Sequence, residues 1–351
     1  MIGQSQATER NAVRMTSQPR DEIAQAGSEV NSSAVIVHWG SAELTKQAAM
    51  ELLATGTFSQ IVIVANDGSE CPAGLKVDGI QWVKPDRNLG FGAGCQFGAR
   101  QVPSRKYAFF NPDAQIGARD IELCLSALEE PGIGIAGPVL VTPAGSLQSG
   151  CGSVSRWFWS SNATKDPRGG KEPLVDCTWI TGAALFCREE VVSEVEWDGS
   201  YFLLSEDVDF CIRARQRGWR VVIVRDAVGV HPGGTSIEDR RAIYYSARNR
   251  IWRARRLARP VVMALVTLGE IRYIPRILVA DIVKRREPRS YYLLRGIMAG
   301  VGSMPNEKSP LARDPIDIPV RKSRRTDLRR HEKWNGRWPA RSSDRHEPTP
   351  S

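Results

Sequence analysis

Three acidic residues lie within four positions in the stretch 204–210 (LSEDVDF). They stand at the start of a predicted helix, where carboxylates also suit the positive end of the helix dipole. A carboxylate close to an acceptor hydroxyl can act as a general base, because it removes the proton as the new bond forms. We assign this role to Asp207 and keep Glu206 as the second candidate.

A second acidic motif is Asn111-Pro112-Asp113, which directly follows the apolar run 107–110 (YAFF). A single carboxylate with open coordination suits Mg²⁺ or Mn²⁺ that bridges two phosphates. His231, one of four histidines, lies in VGVHPGGTS, where Pro-Gly-Gly fixes its position as it would for a ligand. An ordinary turn and a structural histidine are the alternatives.

Two further motifs suit a nucleotide. The run 88–94 (NLGFGAG) places glycines at the head of a helix, which permits close approach of an anion. Its spacing is not G-x-G-x-x-G, and it follows the third strand, so it argues against a nicotinamide enzyme. Asp67, in Asn66-Asp67-Gly68-Ser69, can accept hydrogen bonds from a base or ribose, although this sequence also favours a plain turn.

Short apolar runs alternate with helical patterns over the first half of the chain, which predicts crossover connections and a mostly parallel sheet. Ligands bind at the carboxyl edge of such a sheet, and the motifs follow predicted strands. The second half predicts a hairpin at 139–148, an irregular loop at 151–173, a strand near 176–187, a helix near 206–217 and a strand at 219–224. The predicted first-half strands are 34–39, 61–65, 80–83, 107–110 and 133–137, and the helices are 41–55, 90–101 and 119–130.

The 351 residues are 42% apolar and 25% charged, which excludes a disordered chain, a coiled coil and a disulfide scaffold. The seven cysteines include no C-x-x-C pair, so we expect reduced thiols in a cytosolic protein. The N-terminus lacks the apolar region of a secretory signal. We expect disordered tails at 1–32 and 303–351, because both segments are polar and lack periodicity.

The net charge of +9 is concentrated between Arg240 and Arg295, where 15 Arg or Lys residues face 3 acids. Within this segment Pro260–Val283 is apolar but is interrupted by charges and a proline, so no spanning helix is expected. We favour an interfacial helix on an anionic membrane surface over a helix packed on the core with solvated arginines. No nucleic-acid recognition motif is present, so no nucleic acid is expected as a partner.

Taken in order, these motifs resemble glycosyltransferase family 2, and most closely its rhamnosyltransferase-like bacterial branch. The resemblance covers about residues 33–256. It is carried by AVIVHW, IVIVANDGS, RNLGFGAGCQFGAR, FFNPD, WITGAALFCRE, YFLLSEDVDFCIRARQRGW, VGVHPGGTS and YYSARNRIWRARR.

The resemblance implies an α/β fold of the GT-A type, a single domain over 33–256 with a mostly parallel central sheet flanked by helices. After this domain, the basic and apolar pattern of 257–302 predicts a helical extension, for which membrane association is favoured over packing on the core. The resemblance also implies an inverting glycosyltransferase that uses a nucleotide-diphosphate sugar, with rhamnose as the first guess, and Mg²⁺ or Mn²⁺. The acceptor would be a cell-envelope glycan or a polyprenyl-diphosphate-linked precursor. The protein would be cytoplasmic, peripheral on the inner face of the membrane, and nothing indicates its oligomeric state.

By position, the resemblance also implies roles for individual residues. Asn111 stands where the family's D-x-D motif has its first acid, and Gln96 stands where many relatives have asparagine. The implied sets are Asp207 and Glu206 for catalysis; Asp67, Asn88, Gly90, Gln96 and Asn111 for the nucleotide sugar; Thr181 and Gly182 for the sugar or acceptor; and Asp113 and His231 for the metal.

The sequence also permits two other functions. A nucleotidyltransferase would need a glycine-rich basic loop after the first strand, where this chain reads HWGSAELTK. A non-catalytic membrane-bound scaffold would keep the fold without turnover, and the presence of Asp113, Asp207 and His231 argues against it.

Overall fold

The computed structural model describes residues 31–155, 159–233, 239–283 and 288–302. The tails predicted at 1–32 and 303–351 lie outside these residues, apart from positions 31 and 32. The strands are β1 (Ser32–His38), β2 (Gln60–Ala65), β3 (Ile80–Val83), β4 (Lys106–Phe110), β5 (Gln115–Ile116), β6 (Ile133–Val141), β7 (Leu147–Ser149), β8 (Cys151–Val154), β9 (Ser161–Lys165), β10 (Leu174–Asp176), β11 (Ala184–Arg188) and β12 (Arg220–Val230).

Helices cover both faces of the sheet and form the C-terminal part of the described chain. A short 3-10 helix, Gly199–Tyr201, precedes the segment that carries the predicted base. The α-helices are α1 (Ala42–Ala54), α2 (Phe91–Ala99), α3 (Ala118–Ala127), α4 (Glu189–Val195), α5 (Glu206–Gln216), α6 (Asp239–Leu257), α7 (Pro260–Ile271), α8 (Tyr273–Val283) and α9 (Arg289–Gly302).

The main sheet has the strand order β10-β12-β6-β11-β4-β1-β2-β3, with β5 and β7 paired at its margins. Strands β3, β2, β1, β4, β6 and β12 run in one direction, and β11 is inserted antiparallel between β4 and β6. Strands buried on both faces read as continuous apolar runs, which is why β1 and β2 were visible in the sequence. The predicted α/β class and mostly parallel sheet are confirmed.

Each face of the sheet carries its own hydrophobic cluster. Helices α1 and α3 pack on one face through residues such as Leu52 and Ile121. Helices α2, α4 and α5 pack on the other through Cys95, Val191 and Phe210. This leaves the carboxyl edge of the parallel strands open for a ligand.

Several predictions for the second half were wrong in detail. The predicted irregular loop 151–173 contains the hairpin β8–β9, whose small polar residues gave no strand signal. The predicted strand near 176–187 is two strands, β10 and β11, and α4 was not predicted. The predicted strand 219–224 continues to Val230 as part of β12. It contains a bulge after Val224: Val224 pairs with Pro138 of β6, and the next pair is Val228 with Val139.

The basic segment forms four helices, with α6 packed against α7 and α9 around a cluster that includes Ile251, Val266 and Ile297. The apolar run from Pro260 to Val283 is divided at Arg272 into α7 and α8. Within the described ranges, every helix is too short or too polar to cross a bilayer.

Candidate active site

A cavity of about 370 Å³ opens at the carboxyl edge of the sheet. Its wall combines residues that follow β1, β2, β4 and β12 with residues that precede β11. Because β11 runs against its neighbours, its beginning lies at the same edge as their ends. The wall comprises Val37, Trp39, Ser41, Leu44, Asn66, Asn88, Gly90, Phe91, Asn111, Pro112, Asp113, Thr181, Gly182, Ala183, Phe202, Leu203, Leu204, Ser205, Glu206, Asp207, His231 and Arg241.

The cavity brings together nine of the eleven predicted site residues. The two that it does not include are Asp67 and Gln96. The nine are Asn88, Gly90, Asn111, Asp113, Thr181, Gly182, Glu206, Asp207 and His231.

Asp207 is half-buried in the first turn of α5. Its Oδ2 accepts a hydrogen bond from the Gly182 N–H at 3.0 Å, and its Oδ1 accepts one from the Val208 N–H at 2.7 Å. A glycine is required at 182 by the neighbouring Phe91, since a Cβ there would lie 2.6 Å from the Phe91 ring. Burial raises the pKa of Asp207 above its ordinary value, and the N–H groups of Gly182 and Val208 oppose that rise.

Glu206 is buried, with 5% of its surface exposed. Its Oε2 has no hydrogen-bond partner within the described parts of the chain. Burial, and then the charge of Asp207, raises the pKa of Glu206 to about 8. Glu206 is therefore mostly uncharged at neutral pH, which leaves Asp207 as the carboxylate that can accept a proton.

Asp113 and His231 meet at the cavity although they are 118 positions apart in sequence. The Asp113 Oδ1 lies 3.2 Å from the His231 Nε2, and the Asn111 Nδ2 lies 3.5 Å from the same nitrogen. The His231 N–H donates to the Val141 carbonyl at 2.8 Å, which fixes the backbone where β12 ends.

These side chains fit a divalent cation. Two ligand atoms at right angles, each about 2.1 Å from a metal, are about 3 Å apart, which is the spacing of the Asp113 and His231 atoms. Among the residues that the structure describes, no group of three or more His, Cys, Asp or Glu side chains is gathered at one point. Asp113 and His231 would supply two ligands to a cation, and phosphate oxygens and water would take its other coordination positions.

Asn66 holds the glycine-rich turn at 88–90 in place. From the sequence, a site role is predicted for its neighbour Asp67 and none for Asn66. Its Nδ2 donates to the Gly90 carbonyl at 2.8 Å, and its Oδ1 accepts from the Leu89 N–H at 3.1 Å. Gly90 has a φ of 75°, and the Asn88 side chain accepts from its N–H at 2.9 Å. Trp39 and Arg241 also line the cavity, and neither is among the predicted site residues.

The two predicted residues outside the cavity serve the protein's own backbone. Asp67 accepts hydrogen bonds from the Gly40 and Ser69 N–H groups at 3.1 and 3.0 Å. Gln96 is buried on α2, where its Oε1 accepts from the Trp197 N–H at 3.0 Å. Their roles toward a nucleotide sugar remain predictions.

Curated relatives of the chain are glycosyltransferases, although no protein-family model matches it. It is 31% identical over 137 residues to the N-acetylglucosaminyl-diphospho-decaprenol L-rhamnosyltransferase of Mycobacterium tuberculosis. That match covers 34% of this chain and 45% of the relative, so it spans less than half of the relative's length. The chain is 23% identical over 227 residues to the low-salt glycan biosynthesis hexosyltransferase Agl10 of Haloferax volcanii, covering 62% of this chain and 73% of the relative. The resemblance to rhamnosyltransferase-type glycosyltransferases is thereby confirmed.

Similar solved structures include GalNAc-T7 with UDP, GalNAc and Mn²⁺, at a TM-score of 0.49 and 12% identity, covering 74% of this chain and 59% of that one. A mannosyltransferase from Pyrobaculum calidifontis in complex with GDP-Man and Mn²⁺ has a TM-score of 0.49 and 10% identity, with coverage of 78% and 88%.

Proposed function

We propose that the protein is an inverting glycosyltransferase that moves a sugar from a nucleotide-diphosphate donor to a glycan or a lipid-linked precursor. One observation carries the proposal: a single cavity combines an ionisable base, Asp207, with the Asp113–His231 pair. The relatives' names agree with it. The acceptor oxygen forms its bond to the anomeric carbon as Asp207 takes its proton, and the bond from that carbon to the diphosphate breaks.

Asp113 and His231 would hold Mg²⁺ or Mn²⁺, which would neutralise charge on the leaving diphosphate. Asn88 and Gly90 would line the diphosphate side of the cavity, at the N-terminus of α2. Thr181 and Gly182 would lie beside the transferred sugar, because Gly182 contacts Asp207. By similarity to the mycobacterial relative, we propose rhamnose as the sugar and a polyprenyl-diphosphate-linked saccharide as the acceptor.

Ligand-dependent thermal stability tests the donor site. The purified protein is heated with dTDP, UDP or GDP, each with and without Mn²⁺. A nucleotide at about 100 times its Kd adds roughly 2.7 kcal/mol of stability. We expect a shift that needs both nucleotide and Mn²⁺ and that is lost in Asp113→Ala but kept in the exposed-site control Glu122→Gln. Failure of every nucleotide to shift the folded protein would contradict the proposal.

We also propose a peripheral location on the inner face of the cytoplasmic membrane, where the acceptor lipid would be reached. Twelve of the fifteen large apolar residues that are exposed in the described chain belong to α7, α8 and α9. On α9 they recur at 291, 294, 298 and 301, which is one helical face. Leu268, Val279, Ile282 and Met298 are each at least 60% exposed.

The charge around this apolar face supports an anionic surface as the proposed partner. The two acids of α7, α8 and α9, Glu270 and Asp281, are buried and paired with Arg250 and Arg289. Exposed cations, including Arg272 and Arg276, are therefore not balanced by exposed acids on α7 and α8. Apolar side chains beside exposed arginines are typical of segments that bind anionic lipid.

Vesicle sedimentation tests this partner. Vesicles of phosphatidylcholine alone are compared with an equal mixture of phosphatidylcholine and phosphatidylglycerol. We expect binding to the mixture that weakens about fivefold when Arg276 is replaced by Gln, since each such cation contributes about 1 kcal/mol. Leu268→Ser should also weaken binding to the mixed vesicles. Val77→Ser, at an exposed apolar site outside α7, α8 and α9, should leave this binding unchanged. Equal binding of Leu268→Ser and the parent protein would refute the proposed surface.

A further inference from the structure

The segment 202–205, between the 3-10 helix and α5, has a strained backbone. Phe202, Leu204 and Ser205 have φ angles of 62°, 66° and 72°, and they are three of the five described non-glycine residues with positive φ. The Leu203 N–H donates to the Tyr201 carbonyl at 2.7 Å, which closes a γ-turn of the rare, positive-φ form at Phe202. Such a backbone persists only where surrounding contacts determine it.

Those contacts come largely from Asn249, a fully buried residue of α6. Its amide nitrogen carries two hydrogens and faces three carbonyl oxygens of the strained region, so at least one hydrogen is shared. The Asn249 Nδ2 donates to the carbonyls of Tyr201 at 3.1 Å, Leu203 at 2.8 Å and Leu204 at 2.6 Å.

Arg248 supports the same contacts. Its Nε donates to the Asn249 Oδ1 at 2.8 Å, which orients the amide, and its Nη2 donates to the Tyr201 carbonyl at 2.7 Å. The guanidinium carbon lies 4.0 Å from the centre of the Trp252 ring, also on α6. Both polar ends of the Asn249 amide are therefore engaged, and the side chain has one available orientation.

The segment that Asn249 contacts reaches both halves of the cavity. The Phe202 carbonyl accepts from the Phe91 N–H at 3.0 Å, at the start of α2. Gly90 is needed for this approach, because a Cβ there would stand 2.0 Å from the Phe202 oxygen. In the other direction the chain continues directly into Glu206 and Asp207.

We propose that Asn249 is a positioning residue: it fixes the carbonyls of Tyr201, Leu203 and Leu204 and thereby holds Asp207 and the start of α2 at their positions on the two sides of the cavity. Asn249 is absent from the cavity wall, so it acts through the backbone that it binds. Its effect on turnover rests on the proposed function, whereas its effect on the backbone does not.

The kinetic test compares Asn249→Ala with Ile251→Ala, a fully buried position of the same helix that packs toward α9. Release of nucleoside diphosphate is measured well below both melting temperatures. We expect kcat of Asn249→Ala to fall about 100-fold, as for a catalytic group displaced by about 1 Å, with the donor KM within about twofold of the parent value. Ile251→Ala should lose stability but keep kcat. Asn249→Gln retains the amide and should recover part of kcat, and it replaces Asn249→Ala if that variant does not fold.

Amide hydrogen exchange separates this inference from the proposed function. The Phe91 and Val208 amides should exchange faster in Asn249→Ala than in the parent protein. In Ile251→Ala their exchange rates should equal those of the parent, when the variants are compared at matched global stability. If the parent protein turns over no nucleotide sugar, the proposed function fails and the exchange rates alone decide the role of Asn249. Equal kcat and equal exchange in the two variants would overturn the inference.

Discussion

Replacing Glu206 by Gln should stabilise the protein, and the gain should grow with pH. The Glu206 carboxyl is buried, and its pKa is raised to about 8 from an ordinary value of 4.5. An acid with a raised folded-state pKa keeps its proton in the native state while the unfolded chain releases it. Folding stability therefore falls as pH rises from 4.5, and the loss is complete above 8.

The size of the effect follows from the two pKa values. Each pKa unit corresponds to about 1.4 kcal/mol, so the parent should lose about 3 kcal/mol relative to Glu206→Gln between pH 5 and pH 7, and about 5 kcal/mol in total. Urea unfolding of both proteins at pH 5, 6, 7 and 8 measures the difference, with the exposed-site variant Glu122→Gln as the matched control. Parallel stability curves for Glu206→Gln and the parent would refute the account of Glu206 as a buried neutral acid.

Three further effects follow from the structure. Gly98→Ala should cost about 1–3 kcal/mol in urea unfolding, because its Cβ would lie 2.4 Å from a valine methyl of β1, while Gly169→Ala has nothing within 4 Å and should be neutral. Asp209→Ala should cost about 3–5 kcal/mol by the same assay, since it leaves the buried Arg213 guanidinium without its carboxylate partner; a loss below 1 kcal/mol would contradict this. The kcat/KM of the parent should fall on the acid side with an apparent pKa above that of an ordinary aspartic acid, because burial raises the pKa of Asp207; a profile flat to below pH 4 would exclude Asp207 as the base.

The buried strands and the position of the cavity could be predicted from sequence because they depend on local pattern. Apolar runs of four to six residues mark strands such as β2 and β4, and the side chains that follow parallel strands must share an edge. Asp113 and His231 were assigned to one metal by resemblance, and the structure brings them to 3.2 Å although neither segment alone indicates the contact.

Other features depend on packing that no local pattern reports. Gln96 faces Trp197 rather than the cavity, which is decided by the rotation of α2 against the sheet. In the turn after β2, Asn66 reaches the cavity while Asp67 binds backbone N–H groups, and the two residues have similar turn propensities. The contacts of Asn249 join segments about 45 positions apart and require the tertiary fold.

Direct detection of sugar transfer tests the central claim. The protein is incubated with Mn²⁺, a panel of nucleotide sugars that includes dTDP-rhamnose, and a polyprenyl-diphosphate-linked N-acetylglucosamine. The mass of the lipid product is measured by mass spectrometry. The account predicts one added sugar with the parent protein and product formation lowered at least 100-fold in Asp207→Asn, which should still bind nucleotide. Undiminished transfer by Asp207→Asn, or no added sugar from any donor with a parent protein that binds nucleotide, would contradict it.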